Sequence, residues 1–321
     1  VLESPGLDAH RVAADLVAVT SDGVFHRISL EDGRHRWIAF GSGSSAGGGE
    51  VRAGATIAAI NLWDTGRSVL IGPDGLVDVD MSALASSFVA VRPGAEQFVF
   101  DSSGVDGNRP QVYDAHGVEV DTASYSWLDG SAVWELSFAP DGAVFVQDSG
   151  GGWVYAADGA VEQVTTGAVV STSGSTVLAR ECDAERRCGH VLIDVTTGER
   201  RAVPLEAAIA AVGGADPRDT FSTYAVPSPD GRSFLTLAER ASGVSLWILT
   251  FEDDGTVSSV ELGEPLYWGS GIAMWLPDSS AIVMAASGHL AIIDRTTGEI
   301  ADDVDLGATV QVAAVAPSPT E

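Results

Sequence analysis

The 321-residue chain sets 45 Asp and Glu against 17 basic residues, every one of them Arg, for a formal charge of -28. Without lysine there is no Schiff-base anchor and no phosphate-loop lysine, and so negative a field repels nucleic acid and anionic lipid at long range. An apolar share of 45% with 37 Gly and 19% charged residues describes a packed chain rich in strands and turns, and no apolar run reaches the roughly 18 residues of a membrane-spanning helix.

Residues 1–11 read as a flexible end. The first patterned stretch, DLVAVTSDGVFHRISLEDGRHRWIAF, holds three alternating runs, the third folded back on the second by a turn at Asp32 and Gly33. That turn sets Leu30 opposite His35 and His26 two pairs further along, roughly 13 Å away at about 3.4 Å per residue, so the two rings are expected not to share an ion. Residues 41–50, GSGSSAGGGE, read as a flexible loop. Its GSSAG matches G-x-S-x-G with Ser45 as the nucleophile, but that motif needs a strand-to-helix elbow and a Gly/Ser run does not supply one. Asp78 and Asp80 in LVDVDM share one face of a strand and read as charge that blocks edge pairing.

DSSGVDGN, residues 101–108, offers Asp101, Ser103, Asp106 and Asn108 as oxygen ligands for calcium. It lacks the terminal bidentate Glu, and a solvated turn is the favoured reading. Further on, Cys182 and Cys188 in RECDAERRCGH are the two cysteines, with a spacing that suits a small loop-closing disulfide. The rival is zinc held by Cys182, Cys188 and His190, one ligand short of a structural site. His190 and His289 open the same strand of two repeats, which repetition explains better than metal binding. The disulfide, with a chain that begins at Val1 rather than Met, leads us to expect the mature part of an extracellular or cell-surface protein, although a piece cut from a cytosolic protein would begin the same way.

One pattern recurs along the chain: an alternating run, an acidic or Thr-rich turn ending in Gly, then a second run. It appears in FHRISLEDGRHRWIAF, VYDAHGVEV, WVYAADGAVEQV, VLIDVTTGERRAV, WILTFEDDGTVSSVEL and LAIIDRTTGEIADDVDL, each a predicted hairpin. The turn glycines Gly33, Gly117, Gly159, Gly198, Gly255 and Gly298 are spaced 84, 42, 39, 57 and 43 apart. The first gap spans two periods and hides a degenerate copy near IGPDGLVDVDM, giving seven copies of about 42 residues. Upstream of most hairpins a turn at Pro93, Pro140, Pro229, Pro277 or Pro317 closes another pair of strands, with STSGST standing in around Gly174. Four short antiparallel strands repeated seven times predict an all-β, seven-bladed propeller in one domain spanning 1–321, with six or eight blades as the alternative because the second copy is degenerate, since a ring of sheets buries faces that a lone sheet exposes. The start of the chain lacks an innermost strand and the tail ATVQVAAVAPSP supplies one, so the N- and C-terminal strands are expected to complete one blade, with 318–321 a flexible end.

The SPDGR and APDG turns resemble the TolB-like propeller repeat, and the DVTTGE and DRTTGE hairpins with GRHRWIAF resemble quinoprotein and surface-layer propeller repeats over nearly the whole chain. The resemblance implies a fold and no activity. WD occurs once, at Trp63 and Asp64, without a GH partner, which disfavours the WD-repeat family. Sialidase Asp-boxes are absent, and similarity to the prolyl-oligopeptidase propeller implies no peptidase without a hydrolase domain.

YSWLDGSAVW and YWGSGIAMW place Trp127 and Trp134, and Trp268 and Trp275, seven apart at entries from one repeat to the next. Within a repeat of strands a to d, the d-to-a and b-to-c loops open on one face, where propellers bind ligands. Tyr125, Trp127, Tyr267 and Trp268 are expected there with Trp153, joined by Arg109, Arg186 and Arg187 from b-to-c loops. Aromatic planes with polar fringes suit a protein, peptide or glycan, whereas Trp134 and Trp275 are expected to pack blade against blade. The expected function is therefore a non-enzymatic binding or scaffold module, monomeric and without a cofactor. The alternative is a propeller lyase or hydrolase with carboxylates and a His converging at the channel mouth, and a third reading is a structural spacer with no concave site.

Overall fold

Short alternating runs split by glycine turns cannot bury both faces alone, so the architecture is set by how sheets stack. The structure, a computed structural model, describes residues 12–40, 49–62, 67–79, 89–92, 96–100, 111–120, 135–138, 144–148, 151–155, 161–173, 175–213, 225–240, 243–252, 254–263, 272–286 and 288–317. The chain opens with β1 (Ala14–Thr20), β2 (Val24–Ser29) and β3 (His35–Ala39), then β4 (Gly49–Ala53), β5 (Ala58–Leu62), β6 (Arg67–Gly72) and β7 (Gly75–Val77). It continues through β8 (Val89–Arg92), β9 (Gln97–Phe100) and β10 (Gln111–Asp114), then β11 (Glu135–Phe138), β12 (Val144–Asp148), β13 (Gly151–Tyr155) and β14 (Val161–Thr165). After β15 (Ala168–Ser173), β16 (Thr176–Cys182), β17 (Cys188–Asp194) and β18 (Arg200–Val203) comes a helix, α1 (Leu205–Ala211). The last strands are β19 (Ala225–Pro227), β20 (Ser233–Arg240), β21 (Gly243–Phe251), β22 (Val257–Gly263), β23 (Ile272–Trp275), β24 (Ala281–Ala286), β25 (His289–Asp294), β26 (Ile300–Asp305) and β27 (Val310–Pro317).

Among the described residues these strands form seven sheets, six of four strands and one of three. Each runs in chain order from its first to its last strand, except that the first is ordered β27-β1-β2-β3. There the tail pairs antiparallel with the head of the chain, from Ala14 opposite Pro317 to Thr20 opposite Val310. The third sheet keeps only β8, β9 and β10, with Glu119 bridging Tyr113 where an outer strand would lie.

Sequence alternation explains the packing. All seven residues of β1 are buried, because Leu16 and Ala18 pack with Val283, Leu290 and Ile292 of the last sheet while Val17 and Val19 pack with Val51, Ile60 and Ile71 of the second. The other apolar clusters also straddle neighbouring sheets: Leu70 with Phe98, Val164 with Val177, Leu192 with Phe234, and Leu246 with Ile282. Core thus lies between sheets, and outer strands such as β18 and β26 are mostly exposed and polar.

Polar side chains lock the same joints. Arg27 donates from Nε to Asp15 Oδ2 (2.5 Å) and from Nη2 to the Gly54 carbonyl (2.9 Å), tying the first sheet to the second. Arg200 and Arg201 point to opposite faces of β18, one donating to the Val164 carbonyl and the other to that of Gly231, so adjacent residues hold both neighbouring sheets. Trp275 is buried and donates from Nε1 to the Val226 carbonyl at 2.9 Å, the blade-to-blade role expected for it. Gly167 lies where the fourth and fifth sheets are joined by two residues, and a Cβ there would strike the Arg180 carbonyl.

Gly33, Gly198, Gly255 and Gly298 lie between β2 and β3, β17 and β18, β21 and β22, and β25 and β26, as their spacing predicts, Gly117 lies between β10 and the Glu119 bridge, and Gly159 falls outside the described residues. One register differs. His35 pairs with Ile28 rather than facing Leu30, and His26 pairs with Trp37. The cause is the turn: Ser29 N–H donates to the Arg34 carbonyl and Gly33 N–H to that of Ser29, so Gly33, at φ 71°, ends the turn instead of centring it. Helix α1 was outside the all-strand expectation. Leu205, Ala208 and Ile209, spaced for one helical face, bury that face against Leu192, Val203 and Phe234.

Candidate functional site

At one end of the sheets lie the connections from each outer strand to the next sheet and the turns between second and third strands. The best-described part of this end is the β16–β17 hairpin. Cys182 sits directly opposite Cys188 in the register, and the two form a disulfide. That pairing removes the zinc reading, since neither sulfur is a thiolate, and His190 turns instead to Glu206, with Nδ1 3.0 Å from Oε1. Glu206 is on α1, so a helix absent from the strand-only reading supplies the partner of a buried histidine; its signal in the sequence was PLEAAIAA, an Ala-rich run after Pro204.

The loop inside the disulfide is held by Asp183. Its carboxylate accepts from the backbone N–H of Arg187 (2.9 Å) and of Glu185 (3.0 Å), and from Arg187 Nε (2.7 Å). These bonds, led by the Arg187 N–H, hold the Asp183 carboxyl below its ordinary range. Arg186 takes a left-handed backbone at φ 61° and Arg187 has an exposed side chain engaged by Asp183 and Glu185. The structure therefore places these two expected site residues on a small rigid tip at this end of the fold. Breaking the staple with Cys182→Ser and Cys188→Ser should cost about 2 kcal/mol in urea unfolding, the scale for closing so short a loop. An unchanged midpoint would remove its structural role.

Trp153 lies within β13, its backbone opposite Val146 and Gln163. Arg109, Tyr125, Trp127, Tyr267 and Trp268, with the calcium candidates Asp101, Asp106 and Asn108, lie outside the described residues. Among the described residues no three His, Cys, Asp or Glu side chains are grouped to hold a metal, and no helix is long and apolar enough to cross a membrane. His289 Nδ1 stands 3.0 Å from Asp303 Oδ2, and His116 Nδ1 3.6 Å from Asp74 Oδ2.

The expectation that His26 and His35 lie apart is overturned. With the corrected register their rings stack, centroids 5.2 Å apart, and His26 Nδ1 meets His35 Nε2 at 3.0 Å. On the other side His26 Nε2 is 3.2 Å from Thr20 Oγ1, which donates to Asp22 Oδ1 at 2.6 Å.

No protein-family model matches the chain, and no curated protein matches it. Solved structures do. Dihydro-heme d1 dehydrogenase NirN in complex with DHE is 12% identical at a TM-score of 0.50, over 98% of this chain and 77% of that one. A putative 6-phosphogluconolactonase from Bacteroides fragilis is 11% identical at 0.51, over 97% and 99%. Apo AztD from Citrobacter koseri is 12% identical at 0.50, over 94% and 86%. At such identities the likeness speaks for architecture alone, and these neighbours carry different names on one scaffold. The chain has a β-propeller-like fold, all-β with antiparallel four-stranded sheets.

Proposed function

We propose that this chain is a seven-bladed propeller of the TolB-like repeat type, closed by β27 on β1, which acts as a non-enzymatic binding module outside the cytosol. Its ligand is a protein, peptide or glycan, taken on the end that carries the outer-to-inner connections. The observation that carries the reading is where the long connections fall. Residues 40–48, 78–88, 204–224 and 264–271 all join an outer strand to the next sheet, whereas the opposite end is crossed by short turns such as 54–57, 195–199, 228–232 and 295–299. Connections between the elements of a rigid scaffold are the usual seat of binding.

Closure is supported by the β27–β1 pairing and by the apolar clusters that the first sheet shares with the second on one side and the last on the other. The disulfide supports an oxidising compartment.

A thermal-shift screen against oligosaccharides, peptides and divalent cations tests the reading, since a ligand that binds only the folded chain raises its melting temperature. The expected result is a saturable shift with a peptide or glycan that Trp127→Ala and Trp268→Ala both abolish. A shift with divalent cations alone, or one indifferent to both substitutions, would overturn it.

A further inference from the structure

The sheet that joins the two chain ends contains a titratable pair, His26 buried and His35 half-buried, outside the proposed binding residues. Thr20 on β1, His26 on β2 and His35 on β3 form one hydrogen-bonded chain across three strands. Its direction follows from the donors available. Thr20 Oγ1 has one proton and two acceptors in reach, Asp22 Oδ1 at 2.6 Å and the Val24 carbonyl at 3.1 Å, so its oxygen accepts from His26 Nε2–H. His26 Nδ1 is then bare and accepts from His35 Nε2–H at 3.0 Å. With both rings neutral, each carries one proton in this arrangement.

The surroundings penalise a second. Both rings lie on the strand face that carries Leu16, Ala18 and Ile28, which packs on Val283, Leu290 and Ile292 of the last sheet. The charged groups turned toward that face are Asp22 from the β1–β2 turn and, from the last sheet, Asp302 opposite Ile292 and Asp294 opposite Ala281. β1 adds only the Thr20 hydroxyl, and β3 adds the exposed Trp37 ring.

We propose that the His26–His35 pair is an acid-sensitive latch: the sheet uniting the chain ends holds while both rings are neutral and loosens when the pair takes up protons. A first extra proton on His26 Nδ1 can be met only if His35 exchanges tautomer to accept it, and a second sets two N–H groups facing each other across the 3.0 Å contact. Burial, with the neighbouring His35, lowers His26 from 6.5 to about 4 against a smaller opposing pull from Asp22, and burial lowers His35 as well. Both rings bind protons more weakly in the folded chain than in the unfolded one. Their stabilisation is therefore complete above about 6.5 and drains away as pH falls toward 4.

Amide hydrogen exchange of the whole chain at pH 7.5 and pH 5, corrected for intrinsic rates, reads the latch directly. Protection of β1 and β27 should fall by about tenfold at the lower pH while β20 and β21 of the sixth sheet hold theirs, because sheets can open locally. The double variant His26→Gln/His35→Gln should show no such selective loss. An equal loss in every sheet, or the same loss in the variant, would overturn the latch. Should the variant fail to fold, the wild-type histidine ring resonances decide: titration of both below 6.5 in step with the lost protection sustains it, and an ordinary value for either ring contradicts it. If β27 and β1 lack protection already at pH 7.5, end-to-end closure fails first and the latch with it.

Discussion

Removing residues 308–317 should unfold the protein rather than trim it. β27 is the edge strand of the first sheet beside β1, and its loss would strip seven paired positions from β1 and take apolar groups out of the clusters on both sides, Val310 and Ala313 from the one shared with the last sheet and Ala316 from the one shared with the second. Unpaired backbone on a fully buried strand and two opened clusters together exceed about 5 kcal/mol, the lower end of the stability a whole domain possesses. Circular dichroism of the truncated chain should show no cooperative melt near the wild-type temperature. An unchanged melting temperature would mean that β1 does not depend on the tail.

The second large effect is expected at Arg27. Its guanidinium and the Asp15 carboxylate are both largely shielded from water, with side chains 10% and 5% exposed. Arg27→Met removes the cation and leaves Asp15 without it, besides releasing the Gly54 carbonyl of the next sheet. Breaking a buried pair from one side costs about 3 to 5 kcal/mol, whereas replacing both partners with apolar groups is often near neutral. Urea unfolding should therefore show a deep loss for Arg27→Met and recovery of most of it in Arg27→Met/Asp15→Leu. A double variant no better than the single one would show that the contact to Gly54, not the ion pair, holds the joint.

The repeat was readable because each copy carries the same local chemistry. Asp194 and Asp294 both accept from the two backbone N–H groups that follow, and Gly198 and Gly298 both take φ near 72° at the end of the turn. Those residues recur because the turn demands them, and they mark the strands on either side. What the period does not reveal is where within the turn the glycine sits. Placing Gly33 at the centre slid β3 by two residues, which kept every side chain on its proper face but moved His35 a full step from His26. Alternation constrains faces, not steps along them. Helix α1 escaped for a related reason, since a repeat read as strands leaves one connection free to take any conformation its alanines favour.

The candidate site was legible as a place and less so as a set of contacts. The spacing of Cys182 and Cys188 led to the disulfide, and with it Arg186 and Arg187 at a hairpin tip. The Glu206 contact of His190 joins residues from different elements, and no local pattern encodes it.

The measurement that bears most directly on the binding account is a hydrogen-exchange footprint of the whole chain with the peptide or glycan that gives the largest thermal shift. The account predicts new protection in the 183–187 tip and in the segments that carry Trp127 and Trp268. Protection confined to 195–199, 252–256 and 295–299 at the opposite end, or no peptide or glycan that shifts the melting temperature at all, would contradict it.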